Sequence, residues 1–197
     1  MTGGIGAGKS AIAGLMGEQG AYIISGDEIG REVMEEAPGM LEWVRENFGD
    51  GVFDDKGDLL RQKLGDAVFS DEAKKKQLDN KIFPEIYKRL KSKIKTAFNK
   101  HKIVVVDAAM IFEWGIEGDF DLILTVIADE EAVLERLSQR DGFDAPRAVM
   151  RIKSQFPPEA KAEKADYVIE NNGSKVELKL KVARFWREKV MGKMNDE

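Results

Sequence analysis

The chain has 197 residues, 43% of them hydrophobic and 34% charged, and a formal net charge of -5 from 31 basic and 36 acidic side chains. That is enough chain for one hydrophobic core with a smaller subdomain, and it is too apolar for a natively unfolded protein. The absence of cysteine and the single histidine exclude disulfides, thiolate catalysis and Cys-ligated zinc, so any metal would have to use oxygen ligands. The net charge offers no global attraction to nucleic acid. No apolar run reaches the roughly 20 residues of a membrane span, and a cytoplasmic protein without membrane or nucleic-acid partners is expected.

The first element carries chemistry. Gly3-Gly4-Ile5-Gly6-Ala7-Gly8-Lys9-Ser10 has the phosphate-loop spacing of Gly, four residues, Gly, Lys and Ser. Glycines let backbone amides turn around phosphate oxygens, the helix that follows offers its free N-terminal amides, and Lys9 adds positive charge. Gly4, Ile5, Gly6, Ala7, Gly8, Lys9, Ser10 and Ala11 are therefore the expected nucleotide-binding residues, with Ser10 able to reach a magnesium ion. Such a loop normally follows a buried strand, yet only Met1 and Thr2 precede it, so the first strand is expected to be truncated, supplied in some other way, or lost because the true start lies upstream.

Further along, Tyr22-Ile23-Ile24 reads as a strand, followed by a long and mostly helical insertion. Within it Leu78, Ile82, Ile86, Leu90, Ile94 and Phe98 recur every fourth residue and predict one apolar stripe, with the surrounding lysines on a solvated face. Pro84 is expected to kink that helix or start a second one, and residues 49–58 form a turn-rich break. Ile103 to Val106, ending at Asp107, is the next strand, and His101 before it reads as a surface residue. Residues 120–128 hold another strand, 129–139 a helix leaving at Arg140-Asp141-Gly142, and 145–155 a helix stopped by Pro157-Pro158. Tyr167-Val168-Ile169 is the last strand and 174–190 the last helix.

Apolar strands separated by helices predict an α/β fold with a parallel sheet covered on both faces. The expected layout is a nucleotide-binding core of 1–27 and 101–191 with a lid at about 137–160, a helical lobe of 28–100, and a flexible tail at 192–197.

The loop alone does not choose a reaction. The stretch Thr2 to Ser10, followed by Asp27-Glu28-Ile29-Gly30-Arg31-Glu32-Val33 and by Gly57-Asp58-Leu59-Leu60-Arg61 with Leu64, resembles the dephospho-coenzyme A kinase family. Phe112-Glu113, Arg136-Leu137, Arg140-Asp141, Gln155, Ala165-Asp166-Tyr167-Val168-Ile169 and Asn172-Gly173 continue the resemblance in order and at matching spacings.

The resemblance implies a P-loop kinase with a helical acceptor-binding insertion and a lid, transferring phosphate from ATP to the ribose 3'-hydroxyl of dephospho-coenzyme A with Mg2+. It makes Asp27 the general base or acceptor orienter, where composition alone would also allow a helix cap. Arg31 and Arg61 resemble coenzyme-binding arginines, although a surface salt bridge fits them equally well. Arg140 resembles a lid arginine that approaches the ATP phosphates, and Arg136 one turn earlier would brace the lid through carboxylates. Asp107 stands where an acidic residue is placed near magnesium, Glu113 is a further acceptor-side carboxylate, and Asn172 with Gly173 occupies the expected adenine loop or a plain turn.

Phe83-Pro84 replaces the family's His-Pro, and Ala109-Met110-Ile111 replaces Pro-Leu-Leu, so Phe83 marks a changed acceptor pocket. Two alternatives stay open: a kinase for another nucleoside-like acceptor, and an ATP-binding regulatory protein without turnover. A monomer or weak homo-oligomer is expected.

Overall fold

The computed structural model describes residues 1–195. The chain forms two compact units, one built from Met1–Ile24 together with the chain from Thr96 onward, the other from Ser25–Lys95. In chain order the strands are β1 (Thr2–Gly3), β2 (Tyr22–Ser25), β3 (Val104–Asp107), β4 (Leu124–Ile127) and β5 (Tyr167–Glu170). The first five helices are α1 (Lys9–Glu18), α2 (Gly26–Glu36), α3 (Met40–Phe48), α4 (Arg61–Phe69) and α5 (Glu72–Phe98). They are followed by α6 (Glu130–Asp141), α7 (Ala145–Lys153), α8 (Pro158–Lys164), α9 (Lys175–Phe185) and α10 (Met191–Asn195).

In the first unit β1 pairs in parallel with β4, Thr2 lying opposite Thr125, and β4 pairs in parallel with β5. Strands β2 and β3 form their own pair. Met1 joins the two sets: its amine donates to the Val106 carbonyl at 2.8 Å, and its carbonyl accepts from the Ala108 amide at 3.2 Å. These contacts place β1 between β3 and β4, and its residues draw hydrogen bonds from neighbours on both sides.

Strands buried on both faces must be apolar throughout, and Leu124, Val126 and Ile169 are at most 2% exposed. One side of the core joins them to Ile12 and Met16 of α1 and to Leu178, Val182 and Phe185 of α9. Helix α9 starts in a capping box, with Ser174 and Glu177 bonded reciprocally. The five residues from Trp186 to Val190 form a π-helical turn that puts the buried Trp186 ring into the same core. Helix α10 then runs to Asn195, so the flexible tail expected from Gly192 is helical as far as the described residues reach. His101 is more than a surface residue, since its ring stacks on Tyr22 with centroids 4.6 Å apart.

In the second unit α2 turns Ile29 and Val33 inward, and α3 turns Met40 and Val44. The break between α3 and α4 is a single 3-10 turn followed by a bridge between Phe53 and Leu59. Helix α5 is continuous across Pro84, so of the expected kink or second helix the second helix does not form. Proline removes one hydrogen bond of the helix, and the side chains around it keep the helix in place. Ile86 and Leu90 are buried, while Arg89 pairs with Glu36 at 2.6 Å and Lys93 with Glu32 at 2.7 Å. The apolar stripe does not run to its end, because a four-residue repeat drifts around a 3.6-residue helix: Ala97 is buried and Phe98 is exposed.

Phe185 is 2% exposed and its ring lies 5.0 Å from that of Tyr167. Phe185→Ala is expected to cost about 3–5 kcal/mol of stability, read as a lower urea midpoint at unchanged slope.

Candidate functional site

The phosphate loop connects β1 to α1. Gly6 and Gly8 take left-handed backbone conformations, with φ of 73° and 97°, and neither tolerates a side chain. A Cβ on Gly6 would come within 2.8 Å of the Val133 methyl, and one on Gly8 would run into the Asn171 amide. Gly8 is the N-cap of α1 and offers no side-chain cap, so the first amides of the helix keep their donors for a ligand. Lys9 folds back over the loop and donates from Nζ to the Gly4 carbonyl at 3.1 Å. Ser10 and Ala11 are exposed in the first turn of α1.

Residues outside the motif hold the loop's carbonyls. Arg136 in α6 donates to the Gly6 carbonyl at 3.2 Å and to the Asn171 carbonyl at 2.7 Å. Its expected role of bracing a lid through carboxylates is thereby replaced by a clamp on backbone oxygens. Asn171, 7% exposed, donates from its side chain to the Ala7 carbonyl at 2.8 Å. Gln155 accepts the Ile5 amide at 2.9 Å. Asn171 was missed from sequence because a polar residue in an Asn-Asn-Gly run reads as a turn, and nothing local reveals that it faces the loop from across the sheet. Its neighbour Asn172 accepts the Asp129 amide at 2.8 Å and thereby ties the end of β5 to the start of α6. Gly173 packs beside the Glu177 carboxylate of the capping box.

Asp107 ends β3, one residue after the carbonyl that receives the Met1 amine. Burial pulls the Met1 amine down to about 5, Asp107 opposes the shift and Lys9 adds to it. The Asp107 carboxylate and the Lys9 ammonium thus both act on the start of β1. Glu113 lies past the turn that follows β3 and is engaged from α8. Its Oε1 pairs with the Lys161 ammonium at 2.7 Å and accepts the Phe156 amide at 2.9 Å. Burial lowers the pKa of Lys161 from its ordinary value, and the hydrogen bond and charge of Glu113 oppose that fall. Arg140, at the end of α6, forms a two-pronged contact with Asp141 at 3.0 and 2.7 Å.

The remaining predicted residues belong to the second compact unit. Asp27 is exposed in the first turn of α2. It is not the cap, because Ser25 fills that role by accepting the Glu28 amide at 3.1 Å. Arg61 pairs with Glu35 at 2.6 Å and reaches the Arg31 carbonyl at 3.4 Å, which brings the two predicted acceptor arginines together. The Phe83 ring lies 5.6 Å from that of Tyr87, one turn on.

A parallel sheet flanked by helices, with a glycine-built phosphate loop opening α1 and a helical insertion after β2, defines a P-loop kinase. The family model for dephospho-CoA kinase matches residues 1–177. The chain is 37% identical to the dephospho-CoA kinase of Fusobacterium nucleatum over 188 residues, 94% of each protein. It is 35% identical to that of Geobacillus kaustophilus over 180 residues, covering 91% of this chain and 90% of the relative. Among solved structures, a Thermus thermophilus protein matches with a TM-score of 0.75 at 30% identity, covering 92% of this chain and 93% of the other. Dephospho-CoA kinase from Campylobacter jejuni matches with a TM-score of 0.69 at 25% identity, covering 98% and 96%. The chain belongs to the dephospho-CoA kinase family.

Gly8→Ala forces a left-handed backbone on a residue with a Cβ and pushes it into Asn171. Left-handed backbone alone costs about 1–2 kcal/mol, so ATP binding is expected to weaken by about tenfold or more, measured by calorimetric titration of wild type and variant.

Proposed function

We propose that the protein catalyses transfer of the γ-phosphoryl group of ATP to the ribose 3'-hydroxyl of dephospho-coenzyme A, giving coenzyme A and ADP. The observation that carries this reading is the coincidence of a family match over residues 1–177 with a loop whose glycines and uncapped helix start suit phosphate. Phosphoryl transfer needs little covalent chemistry from the protein. It needs the two oxygens held in line and the spreading negative charge matched.

The residues divide the work by chemistry. The amides of the phosphate loop and the start of α1 bind the β- and γ-phosphates, and Lys9 supplies positive charge beside them. Asp27, released from capping by Ser25, accepts the proton of the attacking hydroxyl. Arg31 and Arg61 bind phosphate oxygens of the acceptor with their planar forks, and Phe83 and Glu113 are further acceptor-binding residues, each within its own unit. Arg140 neutralises charge on the transferred group, and Asn172 with Gly173 contacts the adenine.

Among the described residues no three His, Asp or Glu side chains converge as a metal cage. The Ser10 hydroxyl and the Asp107 carboxylate are hard oxygen donors, the kind magnesium accepts alongside substrate phosphates and water. Held by these residues, magnesium would offset the negative charge of the substrate phosphates. No described helix is long and apolar enough to cross a membrane.

Purified protein given ATP, magnesium and dephospho-coenzyme A is expected to form ADP and coenzyme A one to one, and chelation of magnesium is expected to abolish the reaction. Asp27→Ala should lower kcat by roughly 10²–10⁴-fold, the range of a positioned general base, while leaving ATP binding intact. ATP binding without coenzyme A formation would point to another acceptor.

A further inference from the structure

Lys161 is 0% exposed, a position that lysine seldom occupies without a dedicated partner. Its ammonium donates to the Ala109 carbonyl at 2.6 Å and pairs with Glu113 Oε1 at 2.7 Å. The Ala109 carbonyl also accepts the Thr2 hydroxyl, at 2.9 Å, from β1. The Glu113 side chain is only 8% exposed, and its Oε2 is buried without a hydrogen-bond partner. A buried carboxylate so placed depends on the cation beside it. Oε1 in turn accepts the Phe156 amide. The adjacent residue, Gln155, is the one that accepts the Ile5 amide of the phosphate loop at 2.9 Å. One chain of contacts therefore runs from the buried ammonium through Glu113 and the 155–156 turn to the loop that binds ATP.

We propose that Lys161 is a positioning residue for phosphoryl transfer: it holds Glu113 as a buried anion that anchors the Gln155–Phe156 turn and, through Gln155, sets the phosphate loop at Ile5. The role rests on the kinase reading for its effect on turnover, but its effect on ATP binding stands apart from the identity of the acceptor. Lys161 reaches no loop atom itself. Its influence passes through Glu113, Phe156 and Gln155, so removing any link should give the same defect as removing the ammonium.

The test compares wild type, Lys161→Met, Gln155→Ala and the double variant, reading the Kd for ATP with magnesium, kcat, the KM for each substrate, and Tm. Lys161→Met is expected to weaken ATP binding and lower kcat at least fivefold at a temperature where it is fully folded. Gln155→Ala should reproduce the ATP defect at unchanged Tm, and the double variant should bind ATP no worse than Lys161→Met alone. ATP binding and kcat within twofold of wild type in folded Lys161→Met would overturn the proposal, as would multiplying defects in the double variant. If Lys161→Met does not fold, Gln155→Ala decides: fivefold weaker ATP binding at unchanged Tm supports the link, and unchanged binding breaks it. Wild-type protein that binds ATP but forms no coenzyme A would fail the kinase reading while leaving the binding comparison valid.

Discussion

A phosphate loop turns several of its carbonyls toward protein, and each of those carbonyls needs a donor. Here the donors are named: Lys9 for Gly4, Arg136 for Gly6 and Asn171 for Ala7. An unmatched buried carbonyl would cost about 1–3 kcal/mol, and a loop with several would relax to another conformation. Much of the first unit can be understood as the scaffold that brings these donors to one place. Helix α6 delivers Arg136, the end of β5 delivers Asn171, and the Arg136 guanidinium bonds the Asn171 carbonyl as well, so the two supports are locked to each other.

The middle of the sheet meets a related constraint with very little chain. Strand β1 is two residues long, yet it must carry the loop and hydrogen-bond to both sides. Pairing with β4 on one side and the Met1 contacts to Val106 and Ala108 on the other supply that. The Thr2 hydroxyl adds a bond to the Ala109 carbonyl, the same oxygen that Lys161 holds. Buried polar groups therefore gather around β1.

The second unit is held by other means. Its helices meet through small apolar faces and exposed ion pairs, such as Arg89 with Glu36 and Arg61 with Glu35. Exposed pairs contribute about 0–1 kcal/mol each, so burial of residues such as Val33, Val44 and Leu90 carries the stability there.

Local chemistry made much of this legible in advance. The Gly-Lys-Ser spacing, the apolar strands and the order of the family-like segments are properties of short stretches, and they predicted the phosphate loop, the α/β fold and the family. The failures were of a different kind. Pro84 on propensity either kinks the helix or starts a second one, and burial of Ile86 and Leu90 with the ion pairs of Arg89 and Lys93 keeps α5 a single helix. Asp27 could cap α2 on composition alone, and only backbone geometry gives the cap to Ser25 instead. Arg136, Asn171, Gln155 and Lys161 carry no local sign of their roles, because each acts on a residue more than 30 positions away. Spacing along the chain settles which groups a loop or helix presents, since those follow from covalent neighbours. Which distant donor meets which orphaned oxygen is settled only when the sheet closes, since that pairing depends on packing across the whole core.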